Sequence, residues 1–163
     1  MVERRSELRA AVVWDALHAV LQSRHAALDA ARPLQVVDLG GGTGGLAVRM
    51  AELGHQVTVV DPSPDALASL ERRAAEADTT SAVRGVLGDA ATLLEVVGPD
   101  SADVVLCHGV LEVVDEPAQA LRAAAATLIS GGHLSVLATQ RSGAVFARAL
   151  AGHLAEAEAM LTD

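Results

Sequence analysis

Short apolar runs alternate along the chain with longer stretches in helical spacing. Val36-Val37 with Leu39, Gln56 to Val60, Val83 to Leu87, Asp103 to Cys107 and His133 to Ala138 read as strands, apolar along their length rather than on every second residue. Before the first of them, Val13, Leu17, Val20, Leu21 and Leu28 form one stripe of a helix predicted over 6–30, with Ser6 as N-cap and Arg32-Pro33 as its stop. The full series is strand 35–39, helix 44–53, strand 56–60, a helix from Ser63-Pro64 to about residue 77, and strand 82–87. A short helix 90–96, strand 103–107, helix 116–129, strand 132–139 and a last helix 142–160 complete it. Ser63 before Pro64 is an N-cap followed by a first-turn proline.

Strands that are apolar throughout, each followed by a helix, require a parallel sheet covered on both faces. The fold class is therefore α/β, doubly wound. A chain of 163 residues suits one domain, and no linker or repeat divides residues 1–163. Apolar residues make up 51% of it, yet no run approaches the roughly 18 apolar residues of a membrane span. Residues 1–5 lead into an amphipathic helix instead of an apolar signal core, so cytoplasm is the default compartment. The lone Cys107 excludes an internal disulfide and reads as a buried small hydrophobe at a strand end.

The candidate chemistry lies in VVDLGGGTGGLAVRMAELGHQVTVVD, residues 36 to 61. Strand, glycine-rich turn, helix and strand closing on Asp61 form the front half of a nucleotide-binding unit. Asp61 stands where a carboxylate can accept both hydroxyls of an adenosine ribose. Two templates fit the turn. Gly40 to Gly45 satisfies GxGxxG, the dinucleotide pattern, and Asp38 to Gly44 satisfies D-x-G-x-G-x-G. The second includes an acidic residue at the end of the first strand, which the dinucleotide pattern lacks.

On Asp38-Leu39-Gly40-Gly41-Gly42-Thr43-Gly44 the chain resembles the class I S-adenosylmethionine-dependent methyltransferases. Gly88-Asp89-Ala90 after the third strand and His108 to Val114 after the fourth follow that family's order, as does Gly131-Gly132 before the fifth. The resemblance implies a sheet ordered 3-2-1-4-5, mainly parallel, with the final antiparallel strand pair of the family lacking here. It implies S-adenosylmethionine as cofactor and S-adenosylhomocysteine as product. It also implies cofactor contacts at Asp38, Gly40, Gly41, Gly42, Gly44, Asp61, Pro62, Asp89 and Ala90. Glu7 to Trp14, Met50 to Val57 and His108 to Glu112 are similar to the tRNA carboxymethoxyuridine methyltransferase branch. That likeness adds Arg9 and His108 as cofactor contacts. No residue is nominated as catalytic, because a carboxylate acceptor is already ionised at neutral pH and the methyl is already activated.

Charge tempers the substrate that this branch would suggest. The net charge is −9, there is no lysine, and Trp14 and Phe146 are the only aromatics apart from histidine. A negative field and no stacking platform disfavour nucleic acid as a partner of this chain alone. An unidentified methyl acceptor is the expected partner, with no metal and no membrane. The chain reads as a fragment of a longer enzyme whose fifth strand is left at an apolar edge, open to homodimer formation. Two other readings stay open: a cofactor-binding partner subunit, and half of a nicotinamide-dependent oxidoreductase.

Overall fold

The computed structural model describes the backbone of residues 2–28 and 32–162, and side chains within 10–28, 32–140 and 142–161. Twelve elements follow one another: α1 (Val2–Ala27), β1 (Gln35–Leu39), α2 (Gly45–Glu52), β2 (Gln56–Asp61), α3 (Pro64–Glu76), β3 (Val83–Leu87), α4 (Leu93–Val96), β4 (Ala102–His108), α5 (Pro117–Thr127), β5 (Leu128–Leu137), α6 (Arg141–Leu150) and α7 (Leu154–Thr162). The five strands form one parallel sheet ordered β3-β2-β1-β4-β5.

Each face of the sheet has its own core. On one, Val36, Val57, Val59, Val104 and Leu106 pack under Leu17 and Leu21 of α1, Ala47 and Met50 of α2, and Leu70 of α3. On the other, Val37, Leu39, Val60, Val105 and Cys107 pack under Leu93 of α4 and Ala120 and Ala124 of α5. The alanines of α5 let that helix lie close to the strands. Cys107 is buried, as a strand-end hydrophobe should be. No described helix is long and apolar enough to cross a membrane.

Boundaries differ from the sequence reading by more than two residues in four elements. The first helix begins at Val2 and ends at Ala27, and the short fourth helix is only Leu93–Val96. The fifth strand starts at Leu128, not 132, with a register shift between Ala102 and Val104 opposite Gly131-Gly132. A glycine pair looks like a stop signal in sequence, but here it lies inside the strand, with Gly131 at φ 74° forming the irregularity. The predicted helix 142–160 is two helices, because Gly152 takes φ 88° and reverses the chain.

Beneath the amino ends of the strands, the buried carboxylate of Asp103 ties α1 and the following turn to the sheet. It accepts from Arg32 Nη1 at 2.6 Å and Nη2 at 2.9 Å, from the Gln35 amide at 2.9 Å, and from Arg24 Nη2 at 3.4 Å. Burial alone would raise this carboxyl, but the hydrogen bonds of Arg32 and Gln35 and the charges of Arg32 and Arg24 outweigh it and hold it below the usual range. At this end α1 is anchored by Arg24. Fifteen helical residues separate Arg24 from Arg9, about 22 Å of rise, so the amino-terminal part of α1 runs toward the carboxyl ends of the strands. Midway, Arg49 of α2 lies 3.7 Å above the Trp14 ring, and His18 stacks on Trp14.

Removing the Asp103 carboxylate strands Arg24 and the Gln35 amide without an acceptor. Asp103→Ala should lower stability by about 3 kcal/mol and the melting temperature by roughly 6–12 °C. Thermal unfolding by circular dichroism measures this, and a loss below about 1 kcal/mol would reduce the cluster to a surface ion pair.

Candidate cofactor site

The strand order reverses between β1 and β4, and a cavity of about 580 Å³ opens at their carboxyl ends. Leu39 and Gly40 form its floor. Asp61, Pro62, Asp89, Ala90 and Ala91 form one wall, and Gly109, Val110, Val113, Val114, Asp115, Glu116, Gln119 and Ala120 the other. In open α/β sheets a ligand site is expected at this reversal point. Among the described residues, four carboxylates line the cavity and no arginine does.

The turn after β1 is held by the strand beside it. The Gly40 amide donates to the Val60 carbonyl at 2.8 Å, and the Gly42 amide donates to Asp61 Oδ2 at 2.9 Å. Gly42 reaches this geometry at φ 56°, which a side chain would resist. Asp61 Oδ1 accepts the Ser63 amide at 2.9 Å, so each oxygen takes one backbone donor and keeps a lone pair. The carboxylate is thus aimed before any ligand arrives. Asp89 is held differently. Its Oδ1 accepts the Ala91 amide, the Thr92 amide and the Thr92 hydroxyl at 2.9–3.0 Å. The bonds from Thr92 and then Ala91 keep it below the usual carboxylate range.

Asp38 lies beneath this turn. A methyl group on Gly41 would stand 2.5 Å from Asp38 Oδ2, so only glycine lets the turn cross above the carboxyl. Asp38 is 3% exposed, and no hydrogen bond among the described residues reaches it. Burial, and then the charge of Asp61, push its pKa up to about 7.

Of the residues expected at the cofactor, Gly40, Asp61, Pro62, Asp89 and Ala90 line the cavity. Gly41, Gly42 and Gly44 shape the turn without lining it, and Asp38 sits under it. His108 does not line the cavity. It follows Leu106 by two residues, so alternation puts it on the α1 side of the sheet, where Nε2 lies 2.8 Å from Ser135 Oγ. Its Nδ1 is buried without a partner, and burial lowers its pKa, leaving a neutral ring at pH 7. The side chain of Arg9 lies outside the described residues.

The far wall begins in the segment His108 to Val114 that the sequence singled out after the fourth strand, and continues into α5, where sequence reasoning missed Gln119 and Ala120 because they carry no motif. Sequence reasoning also missed Ser63 as an amide donor to Asp61. Glu112 accepts the Thr139 amide at 2.7 Å and so ties the loop after β4 to the end of β5.

A family profile described as a methyltransferase domain matches residues 37–136. The chain belongs to the class I S-adenosylmethionine-dependent methyltransferase family. It is 33% identical over 153 residues to the tRNA 5-carboxymethoxyuridine methyltransferase of Escherichia coli K12, covering 91% of this chain and 55% of that protein. It is 38% identical over 118 residues to the ubiquinone biosynthesis O-methyltransferase of Albidiferax ferrireducens, covering 72% and 46%. The crystal structure of an S-adenosylmethionine-dependent methyltransferase from Geobacter sulfurreducens, in complex with S-adenosylhomocysteine, is similar at a TM-score of 0.57 and 28% identity. That match covers 72% of this chain and 47% of that one. The chain spans about half the length of the curated relatives it matches.

The raised carboxyl of Asp38 has a consequence for the free methyltransferase domain. Between the ordinary carboxylate range and pH about 7, the folded state holds a proton that the unfolded chain has released. Stability therefore falls as pH rises through that window and levels off above it, by on the order of 4 kcal/mol. Denaturant unfolding from pH 4.5 to 8 should show this slope in wild type and a flatter one in Asp38→Asn, which should be the more stable protein at pH 8. Equal slopes would show that Asp38 is ionised in the free protein.

Proposed function

We propose that this chain is the cofactor-binding part of a methyltransferase that transfers a methyl group from S-adenosylmethionine to an oxygen nucleophile. One observation carries the reading: a cavity at the reversal point has Asp61 already aimed by two amides and four carboxylates in its walls, with no cation among the described lining residues. The pyrophosphate of a nicotinamide dinucleotide would meet like charge in those walls, whereas a sulfonium and an ammonium suit them. That contrast separates the methyltransferase from the oxidoreductase reading. The residues fit the cofactor: Asp61 offers its remaining lone pairs to a ribose diol, Asp89 and Ala90 stand at the edge of a base site, and Val110 and Val113 give it an apolar wall.

When bound, the cofactor supplies a methyl carbon already activated by its sulfonium. The chain's own task is then to hold, orient and exclude water, with the nucleophile about 3 Å from that carbon and in line with the departing sulfur. An ionised carboxylate acceptor needs no base, which agrees with the absence of a nominated catalytic residue. On this reading the acceptor is the carboxylate of a modified wobble uridine or the oxygen of a small molecule, and the protein works in the cytoplasm. The net charge of −9 weighs against this chain holding tRNA without further basic surface. The unpaired outer edge of β5, with Val136 exposed, is the surface we propose for self-association.

Titration calorimetry should show that S-adenosylmethionine and S-adenosylhomocysteine bind and that NADH does not compete. Asp61→Ala should weaken binding by about 1.5–3 kcal/mol, the worth of a charged hydrogen bond. Tighter binding of NADH than of S-adenosylhomocysteine would overturn the reading. Arg9→Ala should weaken binding by a similar factor, about tenfold to a hundredfold, with little change in melting temperature. Unchanged affinity would make Arg9 a surface residue.

A further inference from the structure

A carboxyl group buried in a protein needs hydrogen-bond donors or an opposite charge to stay ionised; without them it keeps its proton. Asp38 has neither. It is 3% exposed, no donor among the described residues reaches its oxygens, and the charge nearest in effect is that of another carboxylate, Asp61. Asp61, by contrast, takes two amides. The two acids therefore stand in opposite surroundings at the mouth of one site, and only Asp61 is met by hydrogen-bond donors.

Among the described residues, the surroundings leave no internal source of compensation. From β2 comes only Asp61. From β4, His108 shares the face of Asp38, because Asp38 is in register with Leu106, and its ring is neutral and bonded to Ser135. From α2, Arg49 is held over Trp14. From α1, Arg24 is engaged at Asp103, at the opposite end of the strands. A described basic side chain free to pair with Asp38 is thus lacking. The Gly41 backbone crosses directly above the carboxyl, so a charge lying on the turn would act through one peptide layer of low polarizability.

We propose that Asp38 holds a proton in the free protein and releases it when the ammonium group of a ligand settles over the glycine turn, so that cofactor binding by this chain is coupled to proton release. The O–H bond of the carboxyl breaks, the proton passes to solvent, and the ligand keeps its own charge. This inference rests on the methyltransferase reading and adds to it a means of selecting ligand charge. A ligand that brings only the adenosine part would bind without the exchange. A ligand that brings an ammonium, or an ammonium and a sulfonium, would drive it.

The coupling predicts how affinity moves with pH. Below the point at which Asp38 loses its proton in the free protein, each unit of pH should tighten binding of a ligand that carries an ammonium by up to about tenfold. Above it, affinity should level off. The same dependence should be absent for a ligand without one.

The experiment is titration calorimetry at pH 6.0 in buffers of widely different ionisation heat. At that pH the α-amino group of the ligands is already charged, so its own titration does not enter. S-adenosylmethionine, S-adenosylhomocysteine and 5′-methylthioadenosine are the probes. Observed heats for the first two should vary with the buffer in the sense of proton release, approaching one proton per ligand. Those for 5′-methylthioadenosine should not vary. Asp38→Asn should bind the charged ligands with heats independent of buffer. Wild-type protein alone supplies the main test, so a poorly folding variant leaves it intact. Tight binding of S-adenosylmethionine with no released proton would overturn the coupling while leaving the cofactor reading standing. Release of a proton that persists in Asp38→Asn would also overturn it. Failure of all three probes to bind would overturn the methyltransferase reading, and the coupling with it.

Discussion

β1 is flanked by a strand on each side and covered by helices on each face, so beyond Gln35, which is exposed at its amino end, its residues are buried up to the glycine turn. The form of the glycine turn follows from that confinement. A strand so enclosed must be apolar, and Val36, Val37 and Leu39 are. The one polar residue in its buried part, Asp38, is consequently forced into the core on the α1 side, one residue short of the turn. The turn must then leave the sheet without a side chain striking that carboxyl, which Gly41 permits. It must also find acceptors for its amides, which the end of β2 supplies through Val60 and Asp61. Parallel pairing of β1 with β2 brings those partners alongside.

Four aspartates illustrate how environment sets the behaviour of one side chain. Asp103 is buried among two guanidinium groups and an amide and stays charged. Asp89 is exposed and fixed by a local turn that it caps itself. Asp61 is nearly buried, yet both oxygens are met by amides. Asp38 is buried with no donor among the described residues. The first stabilises the fold at the amino ends of the strands, and the last opposes it at the carboxyl ends. A fold that keeps a destabilising group in its central strand concentrates strain at the site, where a ligand can relieve it.

The α/β class and the strand order were legible because each strand is a short apolar run separated by helical spacing, and right-handed crossovers leave few arrangements. Asp61 was legible for the same reason, since a carboxylate closing the second strand has one place to go. What could not be read were contacts between residues far apart in sequence and without a motif. Arg24 and Arg32 look like solvated ends of a helix until the fold brings them to Asp103. His108 was placed near the site correctly along the chain, but alternation turns its ring to the opposite face from the cavity, toward Ser135. Gly131 and Gly152 show the limit of reading punctuation. The same residue type makes an irregularity within a strand in one case and a break between helices in the other.

Charge is distributed along the strand axis, and this decides what the two ends of the sheet can meet. At the amino ends, Arg24 and Arg32 neutralise Asp103, and Arg49 is committed to Trp14. At the carboxyl ends, Asp61, Asp89, Asp115 and Glu116 face one cavity with no described cation among them. Such a cavity raises the local concentration of a cationic small molecule and lowers that of phosphates.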